Sequence, residues 1–361
     1  MNLRSPDPDH HVSLGSVRLE QRLHELVALA PALDLELDVL SSDALGTPGA
    51  HAALRQADGV WWTGGMAFLP TMEPMWTRLR SDLAAVQRDV PAIEAPQVVE
   101  EVDNLGIYFP MLAAAGIDQP ATQLLPLSPD QERLPESDLR AHLDPRVANV
   151  EFPAEGLFFR TYYGTRKQLF ALNVATDSAE LAEGLTDMIV ALRDVQGQSI
   201  GGLALRELVP IERVRDLASG REIAREFRMF VVCGVPVYWN LHCDLAQLSQ
   251  WVEPETLTRA GSPTSAQVEQ MVALSRQVAD LVRSRFFTVD FVLRPDGQPV
   301  LIELNAGYCA GWGPRIAYVA VFGQLLRRLV GLPLLEPDAV LRLGAEADLV
   351  DWSPGGVWGW P

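Results

Sequence analysis

The stretch TVDFVLRPDGQPVLIELNAG, Thr288 to Gly307, constrains this chain more than any other part of it. Two apolar runs rich in β-branched and aromatic residues flank the turn signal Pro-Asp-Gly, which is the pattern of a β-hairpin. Each arm also carries one acid, Asp290 and Glu303, where a core residue is expected. With Pro295 to Gln298 as a four-residue turn, Arg294 pairs with Pro299 and Asp290 comes to lie directly across from Glu303. In that register Val292 and Leu301 share the carboxylate face, and Phe291, Leu293, Val300, Ile302 and Leu304 take the other. Asn305 returns to the acidic face because strand side chains alternate with period two. Like charges facing each other across a ladder are destabilising, so a cation is expected between them. Mg²⁺ suits an Asp, a Glu and an amide oxygen, since it takes hard oxygen ligands and is held by one or two carboxylates together with substrate phosphates. The alternatives are acids at water-bathed strand ends, or acids paired with nearby arginines.

The remaining chain reads as a mixed α/β and α+β protein of two or three parts, because 361 residues exceed what one core usually serves. Leu19, Leu23, Leu26 and Leu29 recur at helical spacing, LDLELDVL alternates as a strand, and ADGVWWTGG reads as a buried strand ending in a glycine turn. DNLGIYFPMLAAAGIDQPAT predicts a helix closed by Gly116. The polar, proline-rich PLSPDQERLPESD is expected near a domain boundary. Beyond it come a strand, a basic turn and a second strand in GLFFRTYYGTRKQLFALNV, then a helix, then a strand in GGLALRELVPIERV. REFRMFVVCGVPVYWNLHC reads as a hairpin about Cys233–Gly234, and TSAQVEQMVALSRQVADLV as a helix opened by a Thr264–Gln267 capping box. AYVAVFGQLLRRLVGL predicts a last helix, and the three tryptophans of the closing WSPGGVWGWP are expected to pack on the body or on a second subunit.

A formal charge of −18 disfavours nucleic acid and anionic membranes as partners, so any polyanionic ligand must meet a local group of Arg or Lys. The opening MNLRSPDPDHH lacks an apolar core for a secretory signal, and Arg327 with Arg328 interrupts the most apolar late stretch. The expectation is therefore a cytoplasmic protein. Cys233, Cys243 and Cys309 have no metal-ligand spacing and read as buried reduced thiols, while His242–Cys243 alone makes a weak metal signal. There is no Walker A loop, no GxGxxG, and no neighbour set for a Ser–His–Asp triad.

Taken together, the pattern DF…DG…IELN resembles the ATP-grasp superfamily of ATP-dependent ligases, from GIDQPAT as far as Arg315. The resemblance implies an amino-terminal pre-ATP-grasp α/β domain over 1–125 and a small subdomain over 126–212 with a phosphate-covering turn. It also implies a large subdomain with the metal site over 213–345, and leaves a Trp-rich tail over 346–361. It implies Asp290, Glu303 and Asn305 as ligands of Mg²⁺, with Mn²⁺ as an alternative. Arg160 stands where the family usually has a strand Lys on the ATP phosphates, and Gly164, Arg166 and Lys167 would lie on the covering turn. Glu207 and Val209 would cradle adenine, and Glu212 would reach the ribose. Arg228 would clamp a phosphate or carboxylate, and Arg315 would neutralise a developing acyl phosphate. The activity implied is activation of a small-molecule or peptide carboxylate by ATP and its joining to an amine, in a family that often forms homodimers. Phosphoryl transfer to a small molecule without ligation, and nucleotide binding without turnover, are the rival readings.

Overall fold

A computed structural model describes residues 30–35, 42–60, 69–89, 94–163, 173–196, 200–242, 250–307, 318–346 and 358–359. Several sequence readings lie outside these residues: the leucine-spaced segment before Ala30, WWTGG, the basic turn with Gly164, Arg166 and Lys167, Cys243, Cys309 and Arg315. The segment read as a strand from Leu33 begins as the end of a 3-10 turn, Ala30–Leu33, and continues outside the described residues after Leu35. The chain divides into two compact units, one of 1–93 with 314–351 and one of 94–313 with 352–361.

In the first unit, Thr47 caps the Pro48–Gln56 helix by accepting from the Ala50 N–H. Leu54 packs with Leu79 and Leu83 of the Leu69–Ala85 helix. The buried Asp82 carboxylate accepts from Gly46 N at 2.6 Å and faces His51 Nε2 at 3.1 Å. Arg327 is buried by binding carbonyls: its guanidinium donates to Leu33 O at 2.6 Å and Pro333 O at 3.0 Å, and to Asp34 Oδ2 at 2.9 Å. Among the described residues no helix is long and apolar enough to cross a membrane.

The second unit holds two antiparallel sheets. The smaller is built from β1 (Thr122–Pro126), β2 (Leu157–Thr161), β3 (Val174–Ala175) and β4 (Gly202–Glu207), in the order β1-β4-β2-β3. The Glu136–Val147 and Ser178–Gln196 helices bury Leu139, Leu143, Leu181, Leu185 and Ile189 with Phe159, Leu203 and Leu205 of this sheet. A short ribbon, β5 (Arg213–Arg215) with β6 (Glu222–Ala224), precedes the larger sheet. That sheet contains β7 (Glu226–Val232), β8 (Val235–Leu241), β9 (Phe286–Leu293), β10 (Pro299–Ala306) and β11 (Trp358–Gly359), in the order β10-β9-β7-β8-β11.

The β7–β8 hairpin forms where it was read. Cys233 and Gly234 both have positive φ, 48° and 81°, as a two-residue loop with the right twist requires. That places Cys233 half-exposed in a turn rather than buried. The capping box of the Ser265–Leu281 helix is present, with Thr264 Oγ1 accepting from Gln267 N and Gln267 Oε1 accepting from Thr264 N. Trp358 pairs with Asn240 and Gly359 with Trp239, so the tail extends the sheet beside β8.

The proline-rich stretch, read as lying near a domain boundary, forms a single helical turn, Pro129–Glu132, capped by Ser128. The Glu132 carboxylate, 4% exposed, accepts from Ile200 N and Gly201 N at 2.9 Å each. Residues 94–125, grouped by sequence with the first domain, fall in the second unit. The physical reason is that β1 pairs along its whole length with β4, Thr122 with Arg206 to Pro126 with Gly202.

Candidate active site

The hairpin of β9 and β10 closes one residue tighter than its turn letters suggested. Arg294 N donates to Gln298 O at 3.0 Å and Gly297 N to Arg294 O at 2.8 Å, with Gly297 at φ 82°. This is a three-residue loop ending in a left-handed glycine, so Leu293, not Arg294, stands opposite Pro299. A bulge between Leu301 and Glu303 then takes up one residue, and Asp290 does pair with Glu303. The faces near the turn are exchanged as a result. Val300 pairs with Val292 on the acidic face, and Leu301 pairs with Phe291 on the other.

Strand order extends that pair into a row. Asn240 of β8 pairs with Arg228 of β7, Arg228 with Asp290 of β9, and Asp290 with Glu303 of β10. Directly opposed residues share a face, so one face of the larger sheet carries four polar side chains abreast. Arg228 holds Asp290 bidentately, Nε to Oδ1 at 2.7 Å and Nη2 to Oδ2 at 2.6 Å. Asp290 is 0% exposed and Arg228 only 4%. Asn305 Nδ2 donates to Asp290 Oδ2 at 3.1 Å. From the smaller sheet Arg160, 3% exposed, reaches Glu303 Oε1 with Nη2 at 2.7 Å.

Each acid therefore already has a cation, and it is an arginine. The repulsion that suggested a metal ion is offset by Arg228 on one acid and Arg160 on the other. Burial alone would lower both arginine pKa values. The Asp290 and Glu303 carboxylates outweigh it and hold both above the ordinary range. The donor set still fits a hard cation. An ionised carboxylate offers about four lone-pair sites. Asp290 uses three, Glu303 accepts Arg160 through Oε1 only, and Asn305 is tied through its nitrogen, which leaves its amide oxygen. Glu226, His242 and Asp290 also offer ligand atoms within 4.8 Å of one another. The Arg228 guanidinium lies among them, with Nη2 at 3.3 Å from His242 Nε2.

Residues from outside the hairpin complete the surroundings, and the sequence reading missed them. The Pro96–Asp103 helix runs beside β10 and brings Asp103 near Glu303, with Glu100 one turn before it on the same helix. Tyr163 Oη donates to Glu100 Oε1 at 2.6 Å, and Asn104 Nδ2 donates to Tyr163 Oη at 2.9 Å. Burial, and then the neighbouring Glu303 charge, push Asp103 up from 3.8 to about 6. A raised carboxyl pKa favours the protonated form in the fold. Its contribution is full below about pH 4 and is lost as pH rises through about 6. Asp103→Asn is accordingly expected to raise the melting temperature of the ligand-free protein at pH 7.5 and to leave it nearly unchanged at pH 4. Melts at both values check this, and an equal effect at both contradicts it.

The other named residues are placed as follows. Glu207 ends β4, its N–H donating to Ala121 O at 3.0 Å, and Val209 is half-buried in the segment that follows. Glu212 N donates to Leu293 O at 2.7 Å, which ties that segment to the end of β9. The Glu212 carboxylate accepts from Arg225 Nη1 at 2.9 Å, so the side chain read as a ribose contact is held by a buried arginine here. Lys167 and Arg315 lie outside the described residues.

Residues 156–329 match the sequence model of an ATP-grasp domain family, the third family of its clade, and that span contains every residue named from the sequence for ATP, metal and catalysis. No curated protein matches the chain. Among solved structures, the D-alanine-D-alanine ligase from Coxiella burnetii is 14% identical with a TM-score of 0.46, over 82% of this chain and 72% of that one. The D-cycloserine synthetase DcsG is 15% identical with a TM-score of 0.45, over 92% and 95%. An L-amino acid ligase from Bacillus licheniformis is 14% identical with a TM-score of 0.43, over 87% and 65%.

Proposed function

We propose that this chain, which carries an ATP-grasp domain, is an ATP- and Mg²⁺-dependent ligase joining a small-molecule or peptide carboxylate to an amine. The observation that carries the reading is the polar row Arg228–Asp290–Glu303, met by Arg160 from the other sheet. Two acids that retain unused lone pairs, an amide oxygen beside them and two buried guanidiniums make a site for a metal-bound polyphosphate rather than for a metal alone. Asp290, Glu303 and Asn305 would hold Mg²⁺. Bound there, the ion would supply charge neutralisation to the phosphates.

The residues of the chain would position and counter charge; none need act as a nucleophile. Arg160 and Arg228, with Lys167, would take phosphate oxygens, and Glu207 and Val209 would offer backbone groups to adenine. An oxygen of the substrate carboxylate attacks the γ-phosphorus, the bond to the bridging oxygen breaks, and ADP leaves with that electron pair. The amine nitrogen then attacks the acyl carbon, the C–O bond to phosphate breaks, and an amide, phosphate and one proton result. Arg315 would stabilise the oxyanion of this second step.

The test is an ADP-release screen over pairs of acids and amines, with product identification. ADP and a condensed amide in equal amounts are expected for the right pair, and Glu303→Gln should lower the rate about 100-fold or more. A phosphorylated acceptor with no amide would identify a phosphotransferase, and tight nucleotide binding without ADP release a protein lacking turnover. Either result overturns the ligase reading.

A further inference from the structure

Leu217, 87% exposed, and Trp251, 54% exposed, are the two most exposed large apolar side chains among the described residues, and the structure brings them to one place. Leu217 stands in the turn of the β5–β6 ribbon, which pairs Arg213 with Ala224, Val214 with Ile223 and Arg215 with Glu222. The ribbon buries Ile223 and packs on the Pro254–Gly261 helix. Asp216, 0% exposed, fixes the turn. Its Oδ2 accepts from Ser219 N at 2.8 Å and Ser219 Oγ at 2.6 Å. Its Oδ1 accepts from Glu253 N at 3.2 Å and Thr256 Oγ1 at 3.0 Å. One buried carboxylate therefore ties the turn carrying Leu217 to the segment that follows Trp251. Single exposed apolar residues are ordinary, but two that meet on a fixed turn mark a contact surface. Holding them in place beforehand lowers the ordering cost of binding.

Cations surround the pair. The Arg221 guanidinium carbon lies 5.3 Å from the Trp251 ring centroid. The Arg215 guanidinium folds back to the turn, its Nη2 4.0 Å from where a Cβ on Gly220 would stand. Arg259 donates from Nη2 to Arg215 O at 3.2 Å. None of these three arginines forms an ion pair among the described residues. Trp and Arg are enriched where proteins meet partners, and a positive patch selects a negative one. Glu222, Glu253 and Glu255 are also exposed around this turn. A phosphate-dense polymer or an anionic lipid sheet would press charge against all three, whereas a peptide can set its acids against the arginines alone. A second copy carries the same formal charge of −18 and is repelled as a whole. We propose that the tip of the β5–β6 ribbon docks an acidic peptide segment of a partner protein. One apolar side chain of that segment would sit against Leu217 and Trp251, and its carboxylates would meet Arg215, Arg221 and Arg259. This docking is independent of the nucleotide reading.

Fluorescence anisotropy of the full-length protein with a labelled peptide of Asp and Glu around a central Phe tests it. The peptide should bind with a Kd below about 100 μM and more weakly as salt rises. A matched peptide with Lys in place of the acids should not bind. Leu217→Ser and Trp251→Ala should each weaken binding about 10-fold or more, and Arg215→Gln with Arg221→Gln should weaken it and flatten its salt dependence. Leu217 lies in water, so Leu217→Ser should keep the wild-type melting temperature, which separates lost docking from lost folding. No binding of the acidic peptide, or binding that Leu217→Ser leaves unchanged, overturns the docking assignment. Tighter binding to a single-stranded oligonucleotide or to phosphatidylserine vesicles than to the peptide overturns it in favour of a phosphate-bearing surface. A wild-type dimer in sedimentation that Leu217→Ser dissociates overturns it in favour of a second copy.

Discussion

Asp290→Asn is expected to lower the stability of the ligand-free protein by about 3–5 kcal/mol and to abolish ADP-forming turnover. The carboxylate is fully buried and accepts three hydrogen bonds, two from Arg228 and one from Asn305. Asn presents a donor on one side, so at least one contact becomes donor against donor, and the Arg228 charge loses its counterion. Breaking a buried pair from one side is costly in this way, whereas replacing both members by apolar groups of similar volume is near neutral. The double change Arg228→Met with Asp290→Leu should therefore recover most of the lost stability and none of the turnover. Thermal melts and ADP release on the three proteins separate the two roles. A double variant as unstable as Asp290→Asn would mean that the pair is needed for packing itself.

The second large effect concerns metal affinity. Arg228 engages Asp290 and Arg160 engages Glu303, so a divalent ion arriving alone meets two buried positive charges already paired with these acids. A nucleotide brings several negative charges that the guanidiniums can take in exchange. Mn²⁺ used as a probe is expected to bind at least about 100-fold more tightly when ADP is present, a coupling at the upper end of those usual between sites. Reciprocity requires the metal to raise ADP affinity by the same factor. Arg160→Gln should loosen this coupling, because Glu303 is then free to bind metal without nucleotide. Titrations of each ligand with and without the other measure it. Equal Mn²⁺ affinity with and without ADP would contradict the exchange of partners.

Much of this site was legible in the chain because it depends on local rules. Period-two alternation put Asp290, Glu303 and Asn305 on one face, and Pro-Asp-Gly marked the turn. The turn length was misread because Gly297 can close a three-residue loop as well as sit within a four-residue one. The bulge at Ile302, which restored the predicted pairing of the acids, leaves no compositional trace. Partners set by strand order were beyond sequence reasoning. Arg228 meets Asp290 only because β9 inserts next to β7, and Arg160 meets Glu303 only because a second sheet approaches. Nothing local to Glu100 or Asp103 says that their helix runs along β10. The proline-rich stretch after β1, read as lying near a domain boundary, is instead a turn capped by Ser128 and Gln131 whose last carboxylate, Glu132, is buried.

Electron paramagnetic resonance of Mn²⁺ added with ADP tests the metal site most directly. The wild-type protein should give the spectrum of an immobilised, nucleotide-bound ion. Glu303→Gln should lose that spectrum while ADP is still bound, as read by calorimetry. An unchanged immobilised Mn²⁺ signal in Glu303→Gln would show that the ion is held elsewhere, and the assignment of the paired acids would fail.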